Sequence, residues 1–134
     1  MKRFLLPIAL LAATLVCAEP ADDWRALADV AKAFETLTRN AKAAGQATDL
    51  DLVEATLERL HAEIGLARAT DAGDAALERL RAAADAALRQ GEALVNARRM
   101  SGLLTPLEAT RIRLRLAKLR LAIGEALTAP APAD

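Results

Sequence analysis

SGLLTPLEATRIRLRLAKLRLAIGEAL, residues Ser101–Leu127, holds a sharp turn followed by the start and body of a strongly marked helix. Gly102 is free to take the positive φ that ends a preceding helix. Thr105 offers a hydroxyl to cap the next one, Pro106 suits its first position, and Glu108 completes a capping box. The stretch reads as the tip of a helical hairpin. The same grammar stands 57 residues earlier, where Gly45-Gln46-Ala47-Thr48-Asp49-Leu50-Asp51 matches Gly102-Leu103-Leu104-Thr105-Pro106-Leu107-Glu108 position for position. The chain therefore reads as two copies of one hairpin, over about residues 22–70 and 74–128. The expected fold class is all-α: two antiparallel helical hairpins forming a four-helix bundle or a coiled-coil-like array.

Within the second stretch, a 100° wheel sorts the apolar residues into two stripes. Leu103, Leu107, Thr110, Leu114, Ala117 and Leu121 form one, and Ile112, Leu116, Leu119, Ile123 and Leu127 form the other. Arg111, Arg115 and Lys118 fill one gap between them, and Arg113 and Arg120 the other. A helix with two apolar stripes requires two partners. One is the preceding helix of its own hairpin; the other is the second hairpin or another molecule. The segment Ile112–Leu116 also alternates with period two, which admits a strand, but the capping box before it and the Ala-Leu pattern after it favour the helix.

Outward from this element, the first helix is expected over Trp24–Ala44, with Asp22 or Asp23 as N-cap. Its apolar face is Leu27, Val30, Ala31, Phe34, Leu37 and Ala41. The second, about Asp49–Ala69, carries Leu50, Val53, Leu57, Leu60, Ile64 and Ala67 at helical spacing. Its carboxylates Asp49, Asp51, Glu54, Glu58 and Glu63 read as a solvated acidic face. The third is expected to start after Asp74 as N-cap and run to about Met100, with Leu77, Leu80, Ala84, Ala87, Leu88, Leu94 and Val95 inward. Gly91 interrupts it, which points to close packing or a mild bend.

At 134 residues the chain is one domain, and with 2% aromatic residues, Trp24 and Phe34 among them, its core must be built from Ala and Leu. Long helices in close contact suit that composition. The first 18 residues, with Lys2 and Arg3, an apolar run from Phe4 to Val16 and Val16-Cys17-Ala18, read as a secretory signal peptide cleaved before Glu19. Cys17 offers a rival reading as a lipidated cysteine, against which Thr14-Leu15-Val16 lacks the small residue usual just before it. Lys2 and Arg3 are two of the 18 basic residues, so the rest of the chain, with 18 acidic ones, carries about −2. That balance speaks against a nucleic-acid partner. Residues 129–134, after Thr128, read as a disordered or extended tail. His61 is the only histidine, and no CxxCH, HExxH or phosphate loop accompanies it, so no cofactor or metal is expected. Nor is there a nucleophile beside a base, which leaves an enzyme without support.

With both tips in view, the sequence resembles the TolC family of outer-membrane efflux proteins. ARRMSGLLTPLEA (Ala97–Ala109) is similar to the tip of that family's second helical hairpin, and AKAAGQATDLDL (Ala41–Leu52) to the tip of its first. The resemblance covers most of Val30–Leu127. It implies a periplasmic helical protein, associated with the outer membrane, that meets a periplasmic adaptor protein or efflux channel subunits through its tips. Gly45, Thr48, Gly102, Leu103, Leu104 and Thr105 would form the contact, with Leu103 and Leu104 as exposed apolar residues. The β-hairpins of such channels have no counterpart in this chain, so the likeness extends to the helices and not to a pore. The other function considered is a stand-alone periplasmic four-helix bundle, binding a small apolar ligand or acting as a chaperone-like module. A homo-oligomer is compatible with either.

Overall fold

The structure, a computed structural model, describes residues 20–130. The expected signal peptide with Cys17, and residues 131–134 of the expected tail, lie outside them. Four helices follow in order: α1 (Pro20–Ala43), α2 (Asp49–Ala69), α3 (Asp74–Met100) and α4 (Pro106–Thr128). No strand occurs among the described residues, and Ile112–Leu116 is helical.

Two expected starts are corrected. Helix α1 begins at Pro20, whose ring suits a first helical position, so Asp22 and Asp23 lie inside the first turn rather than capping it. There they face the positive end of the helix dipole, and Asp22 pairs with Arg25 at 2.9 Å. The position before α3 belongs to Gly73 at φ 93°, with no side-chain cap; Asp74 is the first helical residue. In the turn between the two hairpins, Asp71 takes the left-handed conformation at φ 51° that glycines take at the tips.

Helix α2 is the centre of the bundle. One side of it packs into the main core with α3 and α4, where Val53, Leu57, Leu60 and Ile64 meet Ala84, Leu88, Val95, Ile112, Leu116 and Ile123. Gly91 marks a close approach within this core: a Cβ there would lie 3.1 Å from Leu116 Cδ1 and 3.2 Å from Val53 Cγ1, so three helices converge where a side chain would force its neighbours to shift. Close packing, rather than a bend, accounts for this glycine.

The opposite side of α2 receives α1, and α1 packs on no other helix. The contact is built from small residues, Ala28 and Ala31 against Ala62 with Leu66 beside them, and the Trp24 ring lies flat in the space left by the missing side chain of Gly65. This corrects the expected inner face of α1. Ala28, Ala31, Glu35 and Thr38 are buried, whereas Leu27, Val30, Phe34 and Leu37 are exposed. The reason is steric: the rear of α2 presents Ala62 and Gly65, and only the small-residue side of α1 approaches it closely enough to exclude water. That approach brings Glu35 to Arg59, which it binds together with Arg39 (2.8 Å) and Thr56 (3.3 Å), while Arg59 also holds Glu63 at 2.7 Å. Burial works against the Arg59 charge, but the hydrogen bonds to Glu63 and Glu35 outweigh it and hold its pKa above the usual value.

Candidate interaction surfaces

The two tips are copies in their hydrogen bonding as well as in their sequence. In the first, Gly45 N donates to Lys42 O (3.0 Å) and Gln46 N to Ala41 O (2.8 Å); in the second, Gly102 N donates to Arg99 O (3.1 Å) and Leu103 N to Arg98 O (2.9 Å). Both are helix ends closed by a glycine in the left-handed region, at φ 74° and 76°. Both are followed by a complete capping box. Asp51 N donates to Thr48 Oγ1 while Thr48 N donates to Asp51 Oδ2, and Glu108 N donates to Thr105 Oγ1 while Thr105 N donates to Glu108 Oε2. The Thr105 backbone N–H, with its hydroxyl, holds the Glu108 carboxyl below its ordinary pKa. A hydrogen bond from Lys42 does the same for Asp49, helped by the charge of Lys42 and of Arg98.

The tips differ in what they present. Of the two leucines expected to project, only Leu103 does so, at 73% exposure; Leu104 turns back and packs against the main core, because the closed helix end aims the chain inward at that position. Its counterpart Ala47 is half-buried in the same way, and the counterpart of Leu103 is the exposed, polar Gln46. Met100, at 89%, stands two residues before the second glycine. The second tip is therefore apolar and the first polar.

Along the helices, the two stripes of α4 have separate fates. Ile112, Leu116 and Ile123 are in the core with Leu119 and Leu127 against it, while Leu107, Leu114 and Leu121 are 56–64% exposed. Between α2 and α4 runs a groove of about 320 Å³ lined by Glu54, Glu58, His61, Arg115, Lys118, Leu119 and Ala122. Glu54 is not the solvated carboxylate expected: it is half-buried, 3.4 Å from Arg115 Nε. Burial pushes its pKa up against the pull of that arginine, with Asp51 and Glu58 adding to the rise. The His61 and Trp24 rings pack edge to face, with centroids 5.5 Å apart, across the α1–α2 contact. An apolar recess of about 160 Å³ beside Trp24, Gly65 and Ala126 is smaller than the roughly 300 Å³ at which small-molecule sites begin. Among the described residues, no three His, Cys, Asp or Glu side chains gather as a metal site, and no helix is long and apolar enough to cross a membrane.

Glu35, Arg59 and Gly65 carry the α1 attachment, and no role was expected for them. The signal available was local: Glu35–Arg39 and Arg59–Glu63 are both i, i+4 charge pairs. No family model, curated protein or solved structure matches the chain. The reading of its function therefore rests on its own surfaces and on the tip motifs.

Proposed function

We propose that the chain is a non-enzymatic, exported helical protein of the periplasm that acts in efflux or transport by helix-to-helix contact with an assembly partner. The partner in this reading is the helical hairpin of a periplasmic adaptor protein, met at the second tip, or the hairpin of an efflux channel subunit; through it the chain would associate with the outer membrane. The observation that carries the reading is the pair Met100 and Leu103. They are the most exposed large hydrophobic side chains of the described residues, and both flank Gly102 on a turn held rigid by its hydrogen bonds and capping box. Exposed apolar residues on a rigid support fit the docking of a helix into a neighbouring helical groove. Gly45 and Thr48 would add a polar contact from the first tip.

The test is Leu103→Asp, judged by co-purification of an adaptor from the periplasmic fraction and by thermal unfolding. Loss of the adaptor with an unchanged melting temperature and helical circular dichroism is the expected result. An adaptor retained by the variant, or none bound by the wild-type chain, overturns the reading.

A further inference from the structure

Two exposed stripes remain after the tips are accounted for, one on α1 and one on α4. On α1, Leu27, Val30, Phe34 and Leu37 follow one another at spacings of three and four, 45–67% exposed. On α4, Leu107, Leu114 and Leu121 recur every seven residues, and the positions three further on hold the small Thr110, Ala117 and Gly124. Both are heptad seams of the kind that pair with another helix, and α4 alternates large with small, leaving hollows for bulky neighbours.

Charge selects which seam meets which. The α4 seam is bordered by Arg111 and Lys118 on one side and Arg113 and Arg120 on the other. Of these only Arg113 has a carboxylate within ion-pair distance among the described residues, Glu92 at 3.6 Å. Laid against its own copy, this seam would set cations against cations. The α1 seam has no cation on it or beside it: its borders are Ala26, Ala33 and Asn40, and one turn before Leu27 it continues into Asp23, an exposed carboxylate with no ion-pair partner among the described residues. An α1 seam therefore accepts an α4 seam without repulsion and adds one carboxylate to its cations.

Area selects the stoichiometry. At roughly 100 Å² of exposed apolar surface per side chain, the seven large residues of the two seams present about 700 Å², near the ~800 Å² each partner contributes to a stable interface of standard size. Either seam alone offers about half of that. We propose that a second copy of this chain covers both seams in an isologous dimer, α1 of each copy lying along α4 of its partner. This contact does not involve the second tip.

Sedimentation equilibrium of the purified protein at micromolar concentration should give twice the chain mass. Phe34→Asp and Leu114→Asp should each weaken the dimer at least tenfold while leaving the helical circular dichroism unchanged. Pairing is read in a Cys17→Ser background by mixing Phe34→Cys chains with Leu114→Cys chains and adding a short thiol cross-linker. Mixed dimers should form in excess over either like pair. A monomer throughout the concentration range, a dimer that survives both aspartates, cross-links only between like chains, or binding of a monomeric chain to phosphatidylglycerol vesicles that Leu114→Asp abolishes would each overturn the proposal. Leu103 is unaltered in every variant, so failure here is distinct from failure of the tip contact.

Discussion

Gly102 and Gly91 are glycines for opposite reasons. Nothing stands within 4 Å of a Cβ at Gly102, and what excludes other residues is its φ of 76°. At Gly91 the backbone is helical and the obstacle is the flanking Leu116 and Val53. Gly102→Val is expected to cost about 1–2 kcal/mol, the penalty of a side chain held in the left-handed region. Thr105→Ala is expected to cost about 1 kcal/mol through the lost cap. Both appear as lower urea midpoints at constant slope. Glu54 governs a pH effect. Its folded pKa lies above the ordinary 4.5, so the folded chain holds more protons than the unfolded one between the two values. Its contribution is therefore neutral in acid below 4.5 and becomes destabilising as pH rises through the folded value. Glu54→Gln should melt higher than wild type at pH 7, and the advantage should shrink as pH is lowered towards 4. A variant that melts lower at pH 7 would mean that the Arg115 contact outweighs the burial.

Among the elements, α1 depends most on a single cluster. It packs on α2 alone, through alanines, the Trp24–Gly65 contact and the buried Glu35. Glu35 is 8% exposed at its side chain and anchors Arg59, which is 23% exposed. Glu35→Ala removes one acceptor while Glu63 still holds the guanidinium, so the loss should be about 2 kcal/mol, below the 3–5 kcal/mol of a fully orphaned buried charge. Glu35→Gln should lose less, since its amide oxygen still accepts from Arg59. Urea unfolding of the two variants checks the order. In α4 the competing signals were a period-two run at Ile112–Leu116 and a capping box at Thr105–Glu108. The helix prevailed because the cap and Pro106 act where the helix nucleates, while Arg113 and Arg115 at the alternating positions are good helix formers.

At the scale of the molecule, two hairpins share α2 as a common wall: α3 and α4 pack on one side of it and α1 on the other. A chain with so few aromatics builds its core from Leu, Val and Ile where three helices converge, and from Ala and Gly where only two meet. The second arrangement leaves the larger side chains of α1 without cover, and the proposed dimer answers that.

The four helices of the described residues, both tips, both capping boxes, the inner faces of α2 and α3 and the two stripes of α4 could be read from residue types and spacing. Those features depend on interactions within a turn or two of chain: glycine's access to positive φ, a threonine hydroxyl three residues before its N–H donor, and apolar residues three and four apart. The outward turn of Leu27, Val30, Phe34 and Leu37 could not be read in this way, nor could the inward turn of Leu104. Periodicity shows that a helix has an apolar face, but which face is covered depends on the shape of the neighbour. Here the neighbour is the Ala62–Gly65 side of α2, and Glu35 meets Arg59 across 24 residues of sequence. A small-residue face on α1 loses to the leucine stripe in any count of hydrophobicity, yet it wins in space because close approach multiplies contacts and leaves no gap beside the buried ion pair.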